Sequence, residues 1–172
     1  LSEPEVQFSE QLDHLMYALC HCESMTRTVW YGLNPISGML ETQRAKTAVG
    51  VGRPQSIEVL PTSVAALQLL LERPRILHLN NENNDTHTYL FSDDGPQLLT
   101  PSCLAASVFC GQTVVGVLYA DATGAEISAA DVEKFRAIAQ MASRIVSLSA
   151  CRASSKQTNA PEFELEEQQH AA

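Results

Sequence analysis

The sequence predicts an α+β domain in which an antiparallel sheet carries its terminal helices on one face. Three observations predict it. Apolar residues recur at helical spacing near both ends, as Leu12, Leu15, Met16 and Leu19 and again as Val132, Phe135, Ile138, Ala139, Ala142, Ile145 and Val146. Between them lie short β-branched and aromatic runs bounded by Gly, Pro and Asn, the punctuation of antiparallel strands. The order helix, hairpin, strand, helix, strand, polar loop, hairpin, long helix sets helices apart from a sheet and covers one of its faces.

Ser2-Glu3-Pro4-Glu5 reads as a capping box opening a helix over about 3–24, with Ser at the N-cap and Pro near the first turn. Thr28-Val29-Trp30-Tyr31 switches to strand character, and Asn34-Pro35-Ile36-Ser37-Gly38 turns the chain into a second strand over 39–49. Gly50-Val51-Gly52-Arg53-Pro54 breaks it. A short strand near Ile57–Leu60 precedes Pro61-Thr62-Ser63, which starts a helix with Val64, Leu67, Leu70 and Leu71 on its core face; Pro74 stops it. Arg75–Leu79 reads as a buried strand and Asn80–Thr88 as a polar loop, with a further turn at Asp93-Asp94-Gly95-Pro96. Ser102–Cys110 and Thr113–Ala120 form a hairpin closed by Gly111-Gln112. Ser128-Ala129-Ala130-Asp131 opens the last helix, expected to reach about Cys151. The domain is therefore expected over 1–152, with 153–172 as a polar and acidic tail.

At 172 residues the chain fits one domain. A core of that size buries roughly 70% of the unfolded surface, so no covalent staple is required. The formal charge of −9 argues against a nucleic-acid partner, which needs a basic footprint, and against an anionic membrane. The apolar runs, such as Val64–Leu71 and Val114–Ala120, fall far short of the ~18 residues needed to span a bilayer. Five cysteines at scattered positions follow no disulfide framework, and a reducing, cytoplasmic compartment is expected. The chain begins with Leu1 and not Met, which reads as a piece of something longer.

The run Ala106-Ser107-Val108-Phe109-Cys110-Gly111-Gln112-Thr113-Val114-Val115-Gly116-Val117-Leu118-Tyr119-Ala120-Asp121 resembles the closing hairpin of a GAF domain. Members show a strand, a short turn and a strand of the form hydrophobic-Gly-hydrophobic-Leu-x-x-Asp. Ile127, Asp131, Phe135, Ile138 and Ala139 match the helix that follows in that family. Arg73-Pro74-Arg75-Ile76-Leu77 sits where the family enters a strand through Arg/Lys-Pro. The resemblance covers about residues 6–152. It implies a non-catalytic sensory or regulatory module whose terminal helices lie side by side and transmit or assemble. A small-molecule pocket is then expected on the sheet face under the 78–95 segment, with Trp30, His78, His87, Tyr89 and Cys103 as candidate ligand contacts. The alternative is a ligand-free module that joins two copies.

Other chemistry is set aside on spacing. P-loop, His-Glu-x-x-His, Gly-x-Ser-x-Gly and Cys-x-x-Cys patterns are absent. Cys20-His21-Cys22 lies on a predicted helix, where residues two apart face nearly opposite ways, so a shared metal ion is not expected. His78, His87, Cys103 and Cys110 lack ligand spacing, and no metal or resident cofactor is expected. Asn84, Phe91 and Asp94 echo a cyclic-nucleotide motif of GAF relatives without its Lys and Glu, and the cysteines do not match the surroundings of GAF-like methionine sulfoxide reductases. The width of the apolar band on the last helix, extended by Met141 and Leu148, predicts a homodimer through the terminal helices.

Overall fold

Two three-stranded meanders meet at the middle of one sheet. The computed structural model describes residues 3–20, 25–53, 56–63, 65–80, 102–123 and 125–157. Helix α1 spans Glu3–Cys20, followed by strands β1 (Arg27–Leu33), β2 (Leu40–Thr47) and β3 (Glu58–Val59). A single 3-10 turn at Pro61–Ser63 leads into α2 (Ala65–Glu72) and then β4 (Ile76–Leu79). Strands β5 (Cys103–Cys110) and β6 (Thr113–Asp121) precede the long helix α3 (Ala129–Gln157). The strand order is β3-β2-β1-β6-β5-β4, and every pairing is antiparallel. The first and last strands thus pair at the centre, Trp30 opposite Leu118 and Arg27 opposite Asp121.

Strand alternation splits the core in two. On one face, Trp30 of β1, Leu104 and Val108 of β5 and Leu118 of β6 meet Leu12, Met16 and Leu19 of α1 and Phe135, Ala139 and Ala142 of α3. The two terminal helices share this face and one cluster, as expected. On the other face, Val29, Tyr31, Cys103, Ala105, Val117 and Tyr119 pack with Ala66, Leu67 and Leu70 of α2. The expectation of a single covered face is therefore corrected, because α2 caps the reverse side. Fully buried side chains such as Phe135, Leu12 and Leu118 each contribute about 1.5–3 kcal/mol.

Local chemistry sets the boundaries. Gly111 has φ 63°, the left-handed conformation that the β5–β6 turn demands. At the start of α3, the Asp131 amide donates to Ser128 Oγ at 3.2 Å, and the Ser128 amide donates back to Asp131 Oδ2 at 3.3 Å, a reciprocal capping box. Gly116 lies under the Trp30 indole, where an added Cβ would sit 2.5 Å from the ring. Two expectations shift, those for β4 and α3. Strand β4 lies at the sheet edge and is mostly half-buried, since β5 alone pairs with it. Helix α1 is described over Glu3–Cys20, and the expected stretch 21–24 lies outside the described residues. Helix α3 continues to Gln157 although its apolar period fades near Cys151.

Candidate functional site

The face of the sheet under α2 carries a buried polar network. Period-2 alternation places Arg27 and Tyr31 of β1 on the same side as Tyr119 and Asp121 of β6. Arg27 grips the carboxylate of Asp121: Nε donates to Oδ1 at 2.8 Å and to Oδ2 at 3.0 Å, and Nη2 donates to Oδ2 at 2.6 Å. The Tyr119 hydroxyl donates to the same Oδ2 at 2.6 Å. Asp121 is nearly sealed, its side chain 2% exposed, whereas the Arg27 side chain keeps 25%. The hydrogen bonds to Asp121, aided by its charge, hold the Arg27 pKa above its ordinary value against the opposing effect of burial.

Tyr31 extends the network. Its ring meets that of Tyr119 edge-on, centroids 6.3 Å apart at 61°. Burial, and secondarily the Asp121 charge, pushes the Tyr31 phenol well above the usual tyrosine range, and Arg27 offsets this in part. The hydroxyl therefore stays protonated and is available as a hydrogen-bonding group. Cys103 lies on the same face, paired in register with Asp121 and buried. Arg27 Nη1 takes no part in grasping Asp121, leaving donors beside the two tyrosines. The arrangement presents aromatic faces, a fixed ion pair and directed O–H and N–H donors, the equipment for holding a polar or aromatic small molecule.

The structure does not bring Trp30, His78 and Cys103 to one face of the sheet. Cys103 faces α2, but Trp30 belongs to the cluster beneath α1 and α3. His78 is paired with Leu104, a member of that same helix-side cluster, and alternates with Leu79 on the α2 face. Consecutive strand residues point to opposite faces, so Trp30 and Tyr31 cannot serve one pocket. His87 and Tyr89 lie outside the described residues. Arg27, Tyr31, Tyr119 and Asp121 were not singled out as contacts from sequence. The signal was the shared parity of Arg27 with Tyr31 and of Tyr119 with Asp121, two residues apart on a polar-ended strand.

Of the remaining cysteines, Cys20 is buried against β1, its sulfur 3.5 Å from Thr28 Oγ1, and burial raises its pKa. His21 and Cys22 lie outside the described residues. Among the described residues no group of three His, Cys, Asp or Glu is placed to hold a metal ion. No described helix is long and apolar enough to cross a membrane.

The fold recurs in solved structures. The GAF domain of PixJ from Thermosynechococcus elongatus, in its blue-light absorbing form, superposes with a TM-score of 0.66 at 12% identity, covering 92% of this chain and 96% of that one. A GAF domain/HD domain protein from Geobacter sulfurreducens gives 0.62 at 16% identity, covering 84% and 94%. Residues 122 to 287 of a methyl-accepting chemotaxis protein give 0.63 at 11% identity, covering 83% and 96%. No curated protein matches the sequence. The GAF domain family profile matches residues 12–146, which is most of the chain and spans both core clusters. The chain belongs to the GAF domain family.

Proposed function

We propose that this chain is a non-catalytic sensory domain that binds a small molecule on the α2 face of its sheet and relays occupancy through α1 and α3. The observation that carries this reading is the buried Arg27–Asp121–Tyr119 network on the face opposite the terminal helices. Tyr31, Tyr119, Arg27 and Cys103 form the floor of the site, and His87 and Tyr89, on the segment after β4, are its remaining candidates. Trp30 works from the far side: it packs against the helices and its neighbour Tyr31 faces the ligand. A ligand that displaces Tyr31 thereby pulls on the strand that Trp30 anchors. The similar solved domains are a light-absorbing form, part of a GAF domain/HD domain protein and part of a chemotaxis protein, which supports a sensory role feeding an output domain.

Native mass spectrometry of the chain purified from cells tests the reading. A retained mass that denaturation releases, and that Tyr31→Phe or Tyr119→Phe depletes while Trp30→Phe does not, is the expected result. A chain without added mass, or one whose added mass ignores both tyrosines, defeats it.

A second reading, assembly of two copies, rests on α3. Ala137, Met141, Leu148 and Cys151 are exposed and fall at steps of four, seven and three residues, one stripe along the helix of the kind that forms a coiled-coil seam. Met141 is 48% and Leu148 59% exposed, as is Tyr17 of α1 at 59%. The seam is proposed to pair with its counterpart in a homodimer.

A further inference from the structure

We propose that the cleft between the end of α2, the β5–β6 turn and α3 binds a small organic anion, a molecule carrying phosphate or carboxylate on an apolar body. Two adjoining hollows of about 940 Å³ and about 430 Å³ share Pro74, Phe109, Gln140 and Ser143. Arg73 and Arg144 line the first; Arg75 and Arg136 line the second. The chain has 11 Lys and Arg against 20 Asp and Glu, so four arginines on one cleft invert the prevailing charge.

Most of those charges lack a local partner. Arg136 is held by Glu133 at 2.8 Å, but among the described residues Arg73, Arg75 and Arg144 form no ion pair. Among the described residues Glu72 is the single carboxylate residue on the lining. A phosphate or carboxylate pairs with guanidinium groups through forked, charge-assisted hydrogen bonds. Leu33, Leu71, Phe109 and Val114 supply an apolar wall, and Gln112 and Gln140 supply neutral amides. The larger hollow falls within the range of small-molecule pockets, about 300–1,000 Å³.

The cleft is separate from the tyrosine network. It opens at the Phe109 end of β5, about 20 Å along the strand from Cys103 by strand rise. An occupant touches α3 and the hairpin turn together, so it reaches the signalling helix without passing through the α2 face.

Three probes with one ring system make the test: 1-naphthyl phosphate, 1-naphthoate and uncharged 1-naphthol, titrated into the full chain and followed by calorimetry and backbone amide shifts. The expected result is saturable binding of one or both anions, with naphthol at least about tenfold weaker. Preference for the phosphate or for the carboxylate names the head group. Shifts should centre on Phe109, Gln112 and Ser143. Arg73→Gln and Arg144→Gln should each weaken binding about tenfold, and Arg53→Gln, exposed on a distant loop, should leave it unchanged. Equal binding of naphthol, unaltered affinity in both cleft variants, shifts confined to the Tyr31 region, or no saturation by about 1 mM would each overturn the proposal.

Discussion

Asp121 Oδ2 accepts from Arg27 Nε, Arg27 Nη2 and Tyr119 Oη, so one atom ties β1 to β6. The two ends of the ion pair are not equivalent. Asp121→Asn keeps the shape and leaves a cation that reaches water; a loss of about 2–3 kcal/mol is expected, below the figure for a fully buried pair. Arg27→Met strands a carboxylate that is 2% exposed and should cost more, with a correspondingly larger drop in melting temperature. Equal losses in thermal unfolding of the two variants would show that burial does not govern the pair. Tyr31 makes a pH prediction. Its folded pKa lies above the unfolded value of about 10, so the native state holds a proton that the unfolded chain releases first. Its stabilising contribution is complete below pH about 10 and is lost as pH rises from there toward the folded pKa. Tyr31→Phe should flatten the alkaline limb of a denaturation series; an identical limb would contradict the assigned burial. At this scale the sequence was half legible. Gly116, a residue without a side chain in a strand interior, is the kind of position where something packs closely, and Trp30 does. The role of Asp121 was not legible, because its partner stands 94 residues away and spacing carries no trace of such a contact.

Helix α3 is fastened to the hairpin by two serines. The Phe109 amide donates to Ser143 Oγ at 3.1 Å, and the Gly111 amide reaches Ser147 Oγ at 3.5 Å. Each hydroxyl also donates to the carbonyl four residues earlier in the helix, at 3.1 Å and 2.9 Å. Replacing both by Ala should destabilise by about 1–2 kcal/mol and speed amide hydrogen exchange at Phe109 and Gly111 more than at Val117, deep in β6. Uniform exchange across β5 and β6 would show that the clasp is dispensable. Elements announced by backbone chemistry were the readable ones: the Gly111 turn and the Ser128–Asp131 cap stand where the residues put them. Strand β4 looked buried because Ile76, Leu77 and Leu79 are apolar, but position in a sheet depends on strand order, which local pattern does not encode. Helix α3 runs on past its apolar stripe to Gln157, through a sequence that includes the good helix formers Arg152, Ala153, Lys156 and Gln157.

For the whole molecule, the seam on α3 makes assembly testable. Light scattering should find a dimer at micromolar concentration, and Leu148→Asp, placing a charge on the seam, should return it to a monomer. A monomeric wild type, or a variant that stays dimeric, removes the assembly reading. The family was legible from the hairpin and last helix alone, whereas the site was not, since it draws on β1 and β6 from opposite ends of the chain. That strand order bears on how the protein is made. The meander β1–β2–β3 leaves the ribosome long before β6, the strand that pairs with β1 at the centre of the sheet. At about 5–20 residues per second, β1 waits roughly 5–20 s with its inner edge open. Closing a ladder between such distant segments comes late and slowly, because the loop entropy must be overcome before the contact forms. Until then Val29, Trp30 and Tyr31 present an apolar strand to the crowded cell, and the nascent chain depends on whatever shields it in those seconds.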